Sequence, residues 1–100
     1  MSTETFKRFD AADYLKSEDD IIAYLNAAMD EAGDDPAVIA RALGAVARAR
    51  NMSQLARDTG ITREGLYKAL SGEGNPSFAT IVKVAQALGL KVSFQGSNLP

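Results

Sequence analysis

The chain has 100 residues, of which 46% are hydrophobic, and this is enough for one small globular domain with a modest core. It contains no cysteine and no histidine, so disulfides, thiolate chemistry, histidine general bases and the commonest zinc ligands are excluded. No apolar run approaches the roughly 20 residues of a membrane span, and the N-terminus lacks the apolar core of a secretory signal. We therefore expect a cytoplasmic protein with no membrane partner.

The net charge of −2 conceals two halves of opposite sign. Residues 1–35 carry three basic and ten acidic side chains, a net charge of −7, whereas residues 36–100 carry eight basic and three acidic ones, a net charge of +5. Such polarity is typical of a protein with two partners of opposite charge. A solvated acidic arm on an ordinary domain would have the same composition, so charge alone does not separate the two interpretations.

The N-terminal part of the chain predicts an arm with a short helical turn near residues 11–15, followed by an amphipathic helix. In the arm, Phe6 and Phe9 stand among charged residues and are candidates for docking on the protein's own body or on a partner. Ser17 is the predicted N-cap of a helix over Glu18–Ala32, whose acidic first turn suits the positive end of the helix dipole. Its apolar positions recur at helical spacing: Ile21, Ile22, Leu25, Ala28 and Met29.

The next helix is predicted from Pro36 to Ala49, because Asp35 is a good N-cap and proline is favoured at the first helical position. This helix is rich in alanine and arginine, which are both good helix formers. Its arginines, Arg41 and Arg48 among them, fall on or near the predicted exposed side.

Residues 51–70 predict a helix-turn-helix. Asn51 and Ser53 are alternative caps of its first helix, Gly60 supplies a left-handed turn, and Thr62 caps its second helix. The predicted core between these helices consists of Leu55, Ala56, Ile61, Leu66 and Leu70. Gly65, inside the second helix, indicates a close approach by either a packing neighbour or a DNA backbone.

Ser77 is predicted to cap a fifth, nearly buried helix that Gly89 ends. Its predicted apolar positions are Phe78, Ile81, Val82, Val84, Ala85 and Leu88. Residues 90–94, LKVSF, alternate apolar and polar side chains and predict a short β-strand, which would pair with its own copy in a symmetric dimer. The expected fold is thus all-α: a five-helix helix-turn-helix domain with an N-terminal helical arm and this C-terminal strand.

In a helix-turn-helix, the second helix enters the major groove and its N-terminal residues meet base edges. Arg63 is then the best candidate for guanine, Glu64 for cytosine, and Tyr67 and Lys68 for a base or a phosphate. The full set of candidate DNA contacts is Ser53, Gln54, Thr62, Arg63, Glu64, Tyr67, Lys68, Asn75 and Ser77. Helix capping alone would also explain why serine and threonine occupy positions 53 and 62, without any contact to DNA. The carboxylates cluster at helix starts and in the arm, so we expect no enzyme, no cofactor and no metal.

Residues 49–92, ARNMSQLARDTGITREGLYKALSGEGNPSFATIVKVAQALGLKV, resemble the helix-turn-helix of the putative addiction-module antidote family, a HigA-type branch of the Xre/Cro-like fold. The run REGLYKALSGEGNPSF, Arg63 to Phe78, is the most specific part of the resemblance. The segment FDAADYL, Phe9 to Leu15, and the acidic helix after it match the N-terminal layout of that family, so the resemblance spans nearly the whole chain.

The resemblance implies an antitoxin of a type II toxin–antitoxin system. Such a protein neutralises a RelE/HigB-like ribonuclease toxin and binds its own operator DNA, usually as a homodimer, to repress transcription. Residues 1–35 would then form the toxin-facing arm and helix, residues 36–95 the DNA-binding domain with its strand, and residues 96–100 a tail. The candidate toxin contacts are Phe6, Phe9, Tyr14, Leu15, Asp19 and Asp20. The alternatives are a stand-alone Cro-like prophage regulator and a protein-interaction module that does not bind DNA.

Overall fold

A computed structural model of the protein describes residues 11–32 and 34–96, and over these ranges the chain is all-helical. A 3-10 turn over Ala11–Tyr14 is followed by five α-helices. Their bounds are Glu18–Ala32 (α1), Pro36–Ala49 (α2), Met52–Thr59 (α3), Arg63–Ala69 (α4) and Phe78–Ala87 (α5). The predicted number, order and type of the helices are therefore confirmed.

Helix starts follow the predicted capping residues. Ser17 and Asp20 form a reciprocal capping box, in which Asp20 N–H donates to Ser17 Oγ (3.1 Å) and Ser17 N–H donates to Asp20 Oδ2 (3.2 Å). Asp35 Oδ1 accepts from Ala37 N–H at 3.0 Å ahead of Pro36, as the sequence predicts for α2. Each cap pairs a backbone N–H that has no carbonyl partner within its helix.

The core is assembled around α2, against which α1, α3 and the 3-10 turn pack. Its largest fully buried side chains come from four different helices: Ile21, Val46, Leu66 and Val84. Leu15, just before α1, also belongs to this core and is only 9% exposed. The acidic helix α1 is thus fixed to the rest of the protein through a shared core.

Gly44 lies where α2 meets the end of α4. A Cβ atom at this position would approach the backbone oxygen of Leu70 to 2.7 Å, so the helices are closer than any residue with a side chain allows. We expect Gly44→Ala to lower the free energy of unfolding by about 1–2 kcal/mol, because overpacking outweighs the gain in helix propensity. Chemical denaturation measures this, with exposed Lys83→Ala, expected to change stability by less than about 0.5 kcal/mol, as control. A stabilised Gly44→Ala protein would contradict the close helix crossing.

Two sequence predictions, the C-terminal strand and the burial of Phe78, are corrected. Residues 91–96 form no regular secondary structure, so the strand predicted over residues 90–94 is absent; a strand needs a neighbour for its backbone groups, and none of the described segments provides one. Phe78 is 64% exposed, whereas the apolar pattern of the fifth helix predicts that it is nearly buried. In α1, Ile22 and Met29 share the apolar pattern but are 41% and 58% exposed.

Candidate functional site

The turn between α3 and α4 has the geometry that the sequence predicts. Gly60 adopts φ +76°, which favours glycine, and its N–H donates to Ala56 O at 2.9 Å. Thr59 Oγ1 donates to Leu55 O (2.8 Å) and accepts from Ile61 N–H (3.2 Å), which ties the turn to α3. Ile61 is half-buried and packs against the core. Two short helices are thereby held at a fixed angle.

Helix α4 is anchored at its start by a cap and along its length by leucines. Thr62 Oγ1 accepts from Gly65 N–H at 3.0 Å, while Leu66 is fully buried and Leu70 is 4% exposed. A Cβ at Gly65 would meet Ile61 Cγ2 and Thr62 Oγ1 at 3.1 Å each. Local packing therefore accounts for the glycine at position 65, because side chains of the turn itself occupy the space beside it.

The four candidate side chains of α4 all face solvent: Arg63, Glu64, Tyr67 and Lys68. They lie in one band of the helix, since positions three and four apart are neighbours on a helical surface. The side chains of Arg63 and Lys68 form no hydrogen bond or ion pair with any described residue. Two cations and a half-exposed phenol are therefore available to a partner, on a helix that the core holds rigidly.

Asn51, and not Ser53, caps α3, because Asn51 Oδ1 accepts from Gln54 N–H at 3.1 Å. The hydroxyl of Ser53 is therefore not committed to capping. We expect Asn51→Ala to lower the free energy of unfolding by about 1 kcal/mol. Ser53→Ala is expected to change it by less than about 0.5 kcal/mol. Thermal unfolding of the two variants tests the assignment, and a larger loss for Ser53→Ala would reverse it.

The remaining candidate DNA contacts are dispersed. The side-chain amide of Gln54 is engaged on its own helix, donating to Asp58 Oδ1 (2.8 Å) and accepting from Arg57 Nη2 (2.7 Å). Ser77 caps α5, since its Oγ accepts from Thr80 N–H at 3.1 Å. Asn75 is exposed in the loop before it. The candidate residues of α4 therefore lie together on one surface. Gln54 lies apart from them, in a groove that the end of α5 also lines.

Two arginines of α2 lie beside α4 or the loop that follows it, a proximity that sequence reasoning missed. Arg48 lines one groove with Tyr67 and Ser71. The stem of Arg41 lies against Gly72, where a Cβ would come within 2.6 Å of Arg41 Cγ. Both are exposed, so α2 adds positive charge beside Tyr67 and beside the loop that follows α4. The positions of these two arginines become evident only from the close crossing of α2 and the end of α4 at Gly44.

The candidate toxin contacts divide into three groups. Phe6 and Phe9 lie outside the described residues. Leu15 is a core residue, so its side chain is not available at the surface, and Asp20 Oδ2 accepts from Ser17 N–H and Lys16 N–H (3.1 Å) within the cap of α1. Tyr14, 64% exposed, and Asp19 remain at the surface.

Within residues 11–32 and 34–96, no group of three acidic side chains is arranged to hold a metal ion. None of the helices described is long and apolar enough to cross a membrane.

Comparison with known proteins identifies the family. A family model described as "Probable addiction module antidote protein" matches residues 5–96. An uncharacterized protein of Haemophilus influenzae is 58% identical over 96 residues, covering 96% of this chain and 97% of its own length. No solved structure matches the chain. The match over nearly the whole length shows that the chain belongs to the family of probable addiction module antidote proteins.

Proposed function

We propose that the protein is the antitoxin of a type II toxin–antitoxin system, of the HigA type with an Xre/Cro-like helix-turn-helix. It neutralises a RelE/HigB-like ribonuclease toxin by binding it, without enzymatic activity of its own. It also binds its operator DNA and represses transcription of the pair. Membership of the antidote family supports a toxin partner, and the surface of α4 supports a DNA partner.

The observation that carries the DNA-binding part is the exposed band of α4. The side chains of Arg63 and Lys68 face solvent with no partner among the described residues, while Leu66 and Leu70 hold the same helix in the core. A rigid helix with cationic side chains on its outer face suits the major groove, where arginine pairs with guanine and lysine contacts phosphate or base. Arg41 and Arg48 extend the positive surface to neighbouring phosphates.

A homodimer completes this proposal, because a helix-turn-helix protein reads two half-sites about one helical turn apart with two copies of its recognition helix. The C-terminal segment offers an apolar surface for self-association, since Val92 is 41% and Phe94 is 90% exposed. Light scattering of the free protein tests this: a mass of twice 10.6 kDa is expected, and Phe94→Asp is expected to return it to that of one chain.

The experiment that tests the proposal uses DNA from upstream of the coding sequence and the product of the neighbouring gene. Binding to the upstream DNA is expected to weaken steeply as salt rises, because phosphate contacts release counterions. Co-expression is expected to give a stable complex with the neighbouring protein. DNA binding without such a complex would favour a stand-alone Cro-like regulator, and a complex without DNA binding would favour a pure interaction module.

A further inference from the structure

The outer side of α1 has a composition that the fold alone does not explain. Ile22 and Met29 are seven residues apart, almost two full turns, and therefore lie on the same side of the helix. They are 41% and 58% exposed, and neither joins the core cluster nor packs against it. Asn26 lies between them, and Asp19 and Asp30 border them. We call this surface of Asp19, Ile22, Asn26, Met29 and Asp30 the α1 strip.

The described residues do not cover the α1 strip. The main neighbour of α1 is α2, and the residues of α1 that face the core are Ile21 and Ala28, with Tyr24 and Leu25 at the border. The apolar pair therefore presents its side chains outward, beside an acidic border. Paired exposed apolar side chains with a charged rim are the anatomy of a protein-binding surface.

The charge of Asp30 at the end of α1 is also unexplained by folding. Helix α1 contains five carboxylates and no basic residue. Three of the five occupy the first turn, where the helix dipole and the Ser17 cap stabilise them. Asp30 and Glu31 occupy the last turn, where the negative end of the dipole disfavours carboxylates. Side chains that lower the stability of their own helix are expected at functional sites, where they contribute to binding a partner.

We propose that the α1 strip is the docking surface for the toxin, a basic RNA-cleaving protein, and this inference rests on the proposed function. A protein that cleaves RNA binds a polyanion and therefore has a basic working surface. The acidic border of the strip is complementary to such a surface and steers the encounter, while Ile22 and Met29 supply the apolar contact that slows dissociation. The positively charged α4 surface belongs to another helix and remains available to DNA.

The test separates the apolar contact from the charge. Ile22→Ser/Met29→Ser in the full-length protein is expected to weaken toxin binding at least tenfold, measured by calorimetry, and to leave the affinity for upstream DNA unchanged. The matched control is Phe78→Ser, which removes an apolar side chain that is 64% exposed from α5 and is expected to leave toxin binding unchanged.

Asp30→Asn is expected to slow association with the toxin several-fold at low salt and to have little effect at 0.5 M salt, because screening removes the steering. The same change is expected to raise the melting temperature of the free protein slightly, since it removes an unfavourable charge from the end of the helix. Its control is the neighbouring Glu31→Gln, because Glu31 lines a groove with Arg41 at the α1–α2 junction and not the strip.

If the unaltered protein does not bind the toxin, the proposed function itself fails. If it binds and the Ile22/Met29 variant binds equally tightly, only the docking surface is overturned. A variant that unfolds at lower temperature without its partner would show that the protein's own chain covers the strip. A variant with a smaller mass in solution than the unaltered protein would show that a second copy of the protein covers the strip. Either result would overturn the proposal.

Discussion

Leu66→Ala is expected to lower the free energy of unfolding by about 2–5 kcal/mol, the largest effect of any single truncation proposed for this protein. Leu66 is fully buried in the core shared by all five helices, so its loss leaves a cavity that the surrounding side chains fill only in part. Domains of this size have total stabilities of about 5–15 kcal/mol, and a loss of this size would leave a large fraction unfolded near 37 °C.

Chemical denaturation monitored by circular dichroism measures this loss, and two variants serve as controls. Leu66→Met keeps the volume and is expected to cost less than about 1.5 kcal/mol. Tyr67→Ala changes the next residue, which is 46% exposed, and is expected to cost less than about 1 kcal/mol. A loss below about 1 kcal/mol for Leu66→Ala would contradict the position of α4 against the core.

Arg63→Ala is expected to weaken binding to the operator by about 1–3 kcal/mol, with loss of discrimination at one base-pair position. Arg63 is the first residue of α4 and is exposed without a partner among the described residues. A guanidinium at this end of a recognition helix reaches the O6 and N7 atoms of guanine with two hydrogen bonds.

Electrophoretic mobility shifts against a set of single-base operator variants measure the effect. The matched control is Arg57→Ala, which removes the same charge from α3, where the guanidinium donates to Gln54 at 2.7 Å. That variant is expected to bind the operator almost normally. Equal weakening of Arg63→Ala on operator and unrelated DNA would make Arg63 a phosphate contact and not a base reader.

Local chemistry made the helices predictable from sequence. Asp35 with Pro36, Thr62 and Gly60 each satisfy a requirement of the backbone within a few residues, and all three act as predicted. The cap of α3 was ambiguous because Asn51 and Ser53 are equally suitable residue types. Only the geometry of the bond to Gln54 N–H decides between them.

Features that depend on distant neighbours were harder to predict. Helical spacing placed Ile22 and Met29 on an apolar face, but spacing does not reveal which part of that face α2 covers. The alternation in residues 90–94 has the pattern of a strand, but a strand forms only where a second segment lies alongside. The proximity of Arg48 to Tyr67 follows from the close crossing of α2 and α4. The small residues of α2 indicate that another helix approaches closely, but they do not identify that helix as α4.

The central claim is that this protein neutralises a toxin by direct binding, and translation in a cell-free system tests it most directly. The purified product of the neighbouring gene is added to the reaction, and the yield of a reporter protein is measured as this protein is titrated in. The account predicts that the toxin abolishes reporter synthesis and that synthesis is restored when this protein reaches a stoichiometric amount. No restoration at a large excess of correctly folded protein would contradict it.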